Sequence, residues 1–485
     1  MTRFFSNVLK LASGSIIAQI LGILLIPIIT RLYSADDFGV YQLFLSISGI
    51  LVAFSCLSYQ LAIMLPEDDE DSANLVVFCC ILVTIISIVS GSFFIIFSDW
   101  ISQILNTPEI SQYFIFLPLI VFLNGIFLGM TYWLTRRKRF GINAMAQIIN
   151  SFSVKVVQIG IGLYSVPSPS GLIAGSIVSG IASLAVLCKQ IKDDFPIFRK
   201  VTLKNIRNLA IRYKRFPMFT SWSTGANAIS TQIAPLLLAY FFSPEVVGYY
   251  AIASMVVFLP MGIIGYAISQ VFFQKVCDEK NRTGSVTNIV REIQLRLISI
   301  GMFPMFILMI IGADLFSFVL GSQWFVAGQY AAILAPWLLF VFIASPLTTI
   351  FAVLERQTVD LTFNILIMVS RIVVLAIGGV YGNPYLTLLL FSVTGVIFWG
   401  WMNLYIMKIS GIPYRTGLYD YLRFFSLALI VAIPLLAVKL LLMPIYILFI
   451  TAAVVSIIYY VIIILNDSLL KSELFGALQG FKIWK

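Results

Sequence analysis

The sequence predicts an all-α polytopic membrane protein of about 14 transmembrane helices. They form two parallel six-helix halves related by a pseudo-twofold axis, followed by two further helices. Three observations predict this. Of 485 residues, 60% are hydrophobic and only 11% charged, and the mean hydropathy is +1.01, far more apolar than a soluble domain. Apolar stretches long enough to cross a bilayer recur along the whole chain. The segment at 34–41 is echoed at 243–250.

In order, the expected spans lie at about 8–30, 39–64, 73–97, 113–134, 141–164, 171–188, 217–242, 247–272, 297–320, 329–353, 361–381, 385–407, 424–441 and 443–465. The last two are divided only by Pro444 and its neighbours, with Lys439 marking the outer turn. Short segments connect the spans, and cations in those segments set the orientation. With the N-terminus inside, all but four of the 31 lysines and arginines fall in inner segments or the two ends. The exceptions are Arg31 and Lys439 outside, and Lys155 and Arg371 within spans. The acidic run Glu67–Asp71 then lies inside, which does not alter the orientation because acidic residues contribute little to it. The longest inner segment, Lys189–Arg215, is basic; VTLKNIRNLAIRYKRF within it reads either as an amphipathic helix at an anionic leaflet or as a plain topology loop.

The first outer junction, LYSADDFGVYQLF, matches FFSPEVVGYYAIA between the seventh and eighth spans. Ser34, Gly39 and Tyr41 align with Ser243, Gly248 and Tyr250. Pro27 and Pro235 precede the two junctions at similar depth, and Gly162–Tyr164 is echoed at 379–382. An even number of spans per repeat makes the repeats parallel. The expected organisation is a half at 1–188, a basic linker at 189–216, a second half at 217–408, and two extra helices with a tail at 409–485.

Composition excludes several chemistries. There is no histidine, so no histidine catalysis, metal site or proton switch. The five cysteines lack metal-ligand spacing and read as apolar fillers. No cleavable signal pattern precedes the first span. The positive net charge belongs to topology signals and does not point to nucleic acid. Outer segments are short and hold no catalytic domain, so no enzyme activity, cofactor or metal is expected.

The candidate site is cationic. Lys155 lies well inside the fifth span, about nine residues or roughly 13 Å from its outer end, beyond the reach of a snorkelling side chain. Asn143, Gln147, Ser151 and Gln158 share its helical stripe. Arg371 takes the corresponding place in the eleventh span, two turns after Asn364. Deep carboxylates are scarce, the best being Asp314 near a helix end. Two deep cations without matching anions suggest a cavity for an anionic solute; the alternative for Lys155 is packing against a carbonyl or carboxylate of a neighbouring helix. In the seventh span Thr220, Thr224, Asn227 and Thr231 form a second polar stripe, with Ser223, Ser230 and Gln232 beside it. Asn7, Ser15 and Gln19 are a thinner counterpart in the first. Such residues line cavities or simply pack. Pro27 and Pro235 break the backbone ladder as gate hinges or as static kinks.

The run IPIITRLYSADDFGVYQLFLSISGILVAFSCLSYQLAIMLP resembles the N-terminal signature of bacterial Wzx-type flippases for O-antigen and capsule repeat units. They form the polysaccharide branch of the multidrug/oligosaccharidyl-lipid/polysaccharide exporter superfamily. Pro27, Thr30, Arg31, Tyr33, Phe38, Gly39, Tyr41, Ala62, Leu65 and Pro66 carry the match. The resemblance implies translocation of undecaprenyl-pyrophosphate-linked oligosaccharide across the bacterial inner membrane. Membrane lipids, and polymerase and chain-length proteins of the same pathway, would be the partners. It implies cavity cations, which Lys155 and Arg371 supply. Arg31 is then placed to draw the pyrophosphate outward, or else is an interfacial anchor or the partner of Asp36 or Asp37. A lipid II flippase shares this chemistry. A cation-coupled drug antiporter would want cavity carboxylates, and a membrane polymerase or ligase would want a large outer loop with catalytic groups.

Overall fold

The computed structural model describes residues 22–466, apart from 260, 262–264 and 355. Among the described residues there are helices and connecting turns and no strands. The main helices are α1 (Ile26–Leu32), α2 (Ala35–Ser55), α3 (Asp69–Ile96), α4 (Leu117–Arg136), α5 (Phe140–Tyr164), α6 (Pro169–Ile191), α7 (Ser221–Phe241) and α8 (Pro244–Val257). They continue with α9 (Thr287–Leu320), α10 (Phe325–Ala344), α11 (Gln357–Val380), α12 (Pro384–Ile409), α13 (Tyr414–Leu440) and α14 (Ile445–Asn466). Among the described residues, eleven helices are long and apolar enough to cross a membrane, and shorter apolar helices occupy Gly22–Leu32 and Pro244–Val257. α7 has the length but not the apolarity, because serine, threonine, asparagine and glutamine fill one side of it. Helices among the described residues thus match the expected spans in order, except that most of the first, 8–21, lies outside the described residues. Faces such as Ile85, Ile88, Val89, Phe93 and Ile96 on α3 are bare, as lipid-facing surfaces are.

Several boundaries differ from those expected. The second span is not continuous to residue 64. α2 stops at Ser55, Leu57 and Ser58 take left-handed backbone angles, and one turn resumes at Tyr59–Ala62. The eighth span is divided between α8 and a helix at Tyr266–Thr283. α1 is interrupted at Leu25, two residues ahead of Pro27, whose ring cannot continue the hydrogen-bond ladder. Pro235, by contrast, sits buried inside an unbroken α7. The separation of α13 from α14 stands, with Leu442 in the left-handed region just before Pro444. Asn7, Ser15, Gln19 and the terminal cations Arg3, Lys10, Lys471, Lys482 and Lys485 lie outside the described residues.

The chain forms two compact units that do not follow the repeat boundaries. One comprises the chain up to Met255 with 319–327 and 361–391; the other comprises 256–318, 328–360 and 392 onward. In the first, α5 packs along α6, α3 along α4, and α2 along α7. The repeat is visible in contacts. Ser34 caps α2, accepting from the Asp37 amide at 3.2 Å, and Ser243 caps α8, accepting from the Val246 amide at 3.4 Å. Gly162 of α5 lies against Leu32 and Tyr33, and Gly379 of α11 lies against Phe241, the counterpart of Leu32. In the second unit, the terminal pair α13–α14 is tied to α9. Lys439 Nζ is 2.6 Å from Asp314 Oδ2, Tyr459 and Tyr460 donate to the carbonyls of Ser299 and Ile300, and Tyr459 stacks on Phe303.

Two residues of the acidic run Glu67–Asp71 meet basic segments at the same helix ends. Asp69 pairs with Arg136 at 3.0 Å and with Arg137, and Glu70 with Lys200 at 2.6 Å. Asp194, only 1% exposed, is held by Arg139 at 3.2 Å and Arg137 at 3.4 Å, and accepts from the Trp133 indole at 3.0 Å. The linker contains a real helix, Leu203–Arg212, capped by Thr202 and burying Ile206 and Leu209 against α3. Segments 66–71, 136–139 and 189–215 therefore share one side, as the charge pattern requires. Removing the Asp194 carboxylate would leave Arg137, Arg139 and Trp133 without it, so Asp194→Ala should cost roughly 2 kcal/mol, discounted for the partly exposed arginines. A thermal unfolding midpoint in detergent equal to that of the parent chain would contradict this.

Candidate functional site: the deep cations

α5 carries no proline, and Asn143, Gln147, Ser151, Lys155 and Gln158 lie within one broad stripe. The structure covers that stripe at both ends and leaves its middle open. At the Phe140 end Asn143 is buried and donates to the Thr131 carbonyl at 3.1 Å and Thr135 Oγ1 at 3.0 Å on α4. Towards the Tyr164 end Gln158 is 1% exposed and donates to the Leu172 carbonyl of α6 at 3.1 Å. Its own carbonyl accepts from Tyr33 at 2.7 Å. Asn150, one residue off the stripe, donates to Ser183 of α6 at 3.3 Å. Between these anchors Gln147, Ser151 and Lys155 are half-buried. Among the described residues none of the three has a hydrogen-bond or ion-pair partner. The packing alternative for Lys155, a neighbouring carbonyl or carboxylate, is not what the structure contains. Asn143 and Gln158 are helix-to-helix ties and do not share the open middle with Lys155.

Arg371 is placed differently. Its Nη1 donates to the Ser230 carbonyl at 3.0 Å and Ser230 Oγ at 3.2 Å, and its guanidinium lies 5.7 Å from the Phe391 ring centroid. α11 is thereby braced to α7 on the flank of its polar stripe. On that stripe Thr224 is half-buried, and Asn227 and Thr231 are exposed. The Thr231 hydroxyl donates back to the Ala228 carbonyl at 2.9 Å. Asn364 is exposed on α11. The two cations are thus unequal, one held and one unpartnered. Phe391 was not legible as a site residue, because a phenylalanine in an apolar span carries no distinguishing signal.

Arg31 is exposed and pairs with neither Asp36 nor Asp37. Asp37 is engaged in capping α2, and Arg31 Nη2 reaches the Val319 carbonyl at 3.4 Å. Around it the segment 319–327 grips the end of α1. Thr30 donates to the Leu320 carbonyl at 3.0 Å, and its own carbonyl accepts from the Trp324 indole at 2.8 Å and from the Gln323 amide. Nothing in the linear sequence links residues 30 and 324. Among the described residues no cluster of histidine, cysteine or carboxylates suits a metal ion.

With this geometry in place, the family can be stated. Residues 28–328, well over half the chain, match the polysaccharide biosynthesis protein family, and the chain belongs to it. No curated protein sequence matches. The fold is shared with solved transporters. The inward closed conformation of the lipid II flippase MurJ superposes with a TM-score of 0.73 at 13% identity, over 94% of this chain and 99% of that one. An inward-facing multidrug resistance MATE family transporter of the MOP superfamily gives 0.60 at 12% identity, over 86% and 94%. A point mutant of the Vibrio cholerae MATE transporter VcmN gives 0.55 at 12% identity, over 84% and 96%. The chain is a multi-pass membrane protein that shares the fold of these transporters.

Solvent access separates the open from the covered positions. In a cysteine-free background, Gln147→Cys and Asn227→Cys should react with a charged maleimide about tenfold or more faster than Asn143→Cys and Gln158→Cys, tenfold being about 1.4 kcal/mol of accessibility. Equal rates at all four positions would contradict the open-middle geometry.

Proposed function

We propose that the chain is a flippase for undecaprenyl-pyrophosphate-linked oligosaccharide repeat units of a surface polysaccharide. It moves them from the cytoplasmic to the outer face of the bacterial inner membrane, and its N- and C-termini are cytoplasmic. One observation carries this: Lys155, mid-span on a membrane helix, has no protein counter-charge among the described residues. An ammonium in hydrocarbon costs several kcal/mol or more, so the open stretch of α5 must face water or an anion. A pyrophosphate brings two or more negative charges and is prohibitive to move through hydrocarbon alone. Lys155 and Arg371 meet those charges, while Gln147, Ser151, Asn227, Thr231, Thr224 and Asn364 offer hydrogen bonds to water and sugar hydroxyls. Family membership supports a place in polysaccharide biosynthesis, and the fold supports transport by two rocking halves. The prenyl tail stays in the bilayer. Pathway polymerase and chain-length proteins would receive the product at the outer face.

Few cations suit a site that must release as well as bind. Arg371, fixed by Ser230 and Phe391, gives a planar fork at a set position; Lys155, unpartnered, is a movable point charge. Lys155→Ala and Arg371→Ala should each lower surface polysaccharide at least about tenfold, because each leaves a desolvated phosphate charge unmatched. Lys155→Arg should retain much of the activity, and Arg371→Lys less, since a lysine cannot keep the bidentate geometry. Wild-type polysaccharide in both alanine variants, at normal protein level, would remove the two residues from the mechanism.

A further inference from the structure

α7 has two different sides. On one, Ser221 and Gly225 are buried, a Cβ built on Gly225 would lie 2.0 Å from Phe54 Cζ of α2, and one built on Gly49 of α2 would meet Gln232 at 3.5 Å. α2 covers that side. On the other, Ser223, Asn227 and Thr231 follow one another at intervals of four residues, and all three are exposed. Among the described residues the side chains of Ser223 and Asn227 have no hydrogen-bond partner, and the Thr231 hydroxyl reaches only the Ala228 carbonyl of its own helix.

Four residues before Ser223 stands Phe219, 68% exposed. Four residues advance about 400° around an α-helix, so successive members of such a line lie roughly 40° apart. Phe216–Thr220 form a π turn, and Pro217 within it lacks the N–H that an α turn would use. A π turn advances less per residue, which brings Phe219 closer still to the line of Ser223. Among the described residues Phe219 meets no other ring. Trp222 is comparably exposed but lies about 100° round the helix from Ser223, and it leans edge-on against Phe54 at 6.1 Å, towards the side that α2 covers.

The chemistry of this line points to one kind of ligand. Unpartnered amide and hydroxyl side chains on a membrane helix require water or a polar solute. No charged residue occurs between Phe219 and Thr231, so the line offers a phosphate nothing. A lipid tail would match the ring but not its polar neighbours. A pyranose matches both. Its hydroxyls exchange hydrogen bonds with amides and hydroxyls, and one of its faces presents C–H groups that settle on the electron-rich face of an aromatic ring. From Phe219 to Thr231 the line runs roughly 18 Å at 1.5 Å per residue, room for several sugar rings. We propose that Phe219 is a stacking platform for a sugar ring of the cargo, with Ser223, Asn227 and Thr231 continuing the saccharide subsite along α7. This rests on the flippase reading and deepens it: Lys155 meets the pyrophosphate, and this line of α7 meets the sugars. A platform needs several C–H groups on one face of the ring, so it selects sugars by the arrangement of their axial hydroxyls.

The test is binding to the purified full chain in detergent, with two probes. One is the undecaprenyl-linked saccharide extracted from cells lacking this chain; the other is undecaprenyl pyrophosphate carrying no sugar. Phe219→Ala removes an exposed side chain and leaves the packing intact. It should bind the saccharide lipid about fivefold more weakly than the parent chain, the loss expected of one exposed aromatic contact, and the sugar-free lipid equally well. Phe219→Tyr should keep the parent affinity, and Phe219→Leu, which retains apolar bulk without the ring, should not. In Phe219→Trp the saccharide lipid should shift the emission of the added tryptophan, read as a difference from the parent chain, and the sugar-free lipid should leave it unchanged. Parent affinity for the saccharide lipid in Phe219→Ala or in Phe219→Leu overturns the platform and leaves the flippase reading standing. An equal loss for both lipids also overturns it, because the ring would then serve the prenyl or phosphate part. A parent chain that binds neither lipid refutes the cargo and the platform together.

Discussion

A charge halfway along a membrane helix must be paired, hydrated or neutralised, and Lys155 has no pairing partner among the described residues. Much of the surrounding architecture follows from keeping that position open. α5 is fastened above and below it, by Gln158 to α6 and by Asn143 to α4. With both ends of the stripe tied to neighbours, the helix cannot rotate to hide the lysine without breaking buried hydrogen bonds, each worth about 1 kcal/mol. Other ionic groups are treated in the opposite way. Asp314 and Lys439 neutralise each other, Asp194 is enclosed by Arg137, Arg139 and an indole, and Asp69 pairs with Arg136 and shares Arg137.

The two halves build equivalent scaffolds and then diverge at the functional position. Serine caps open α2 and α8, glycines let α1 meet α5 and α7 meet α11, and the fifth and eleventh helices each carry a cation. Arg371 is locked to Ser230 of α7 and faces Phe391. Lys155 has no such brace among the described residues. Duplication explains the shared framework; under the proposed function, the asymmetry at the cations would give a pyrophosphate one rigid and one mobile partner.

Much of the fold was legible because membrane helices announce themselves locally. Runs of about twenty apolar residues and a repeated SxxxxGxY junction report spans and symmetry without long-range information. The site was legible in part. Lys155 and Arg371 stand out by composition alone, whereas periodicity could not tell that Gln158 and Lys155, on one stripe, meet different surroundings. Burial varied along the helix axis, and a periodic reading resolves only direction around it. Leu57, Ser58 and the broken second span were hidden because neither residue is a usual left-handed former. The grip of 319–327 on Thr30 joins positions nearly 300 residues apart, which no local pattern reports.

The most direct measurement is the sidedness of the lipid-linked saccharide in cells lacking this chain. Undecaprenyl-linked saccharides would be extracted, identified by mass, and tested for exposure at the outer face of the inner membrane. The account predicts complete repeat units accumulating at the cytoplasmic face, with surface polysaccharide lost and restored by the parent chain but not by Lys155→Ala. A peptidoglycan precursor accumulating there would change the cargo and keep the chemistry. Complete units reaching the outer face and remaining unpolymerised would contradict a flippase.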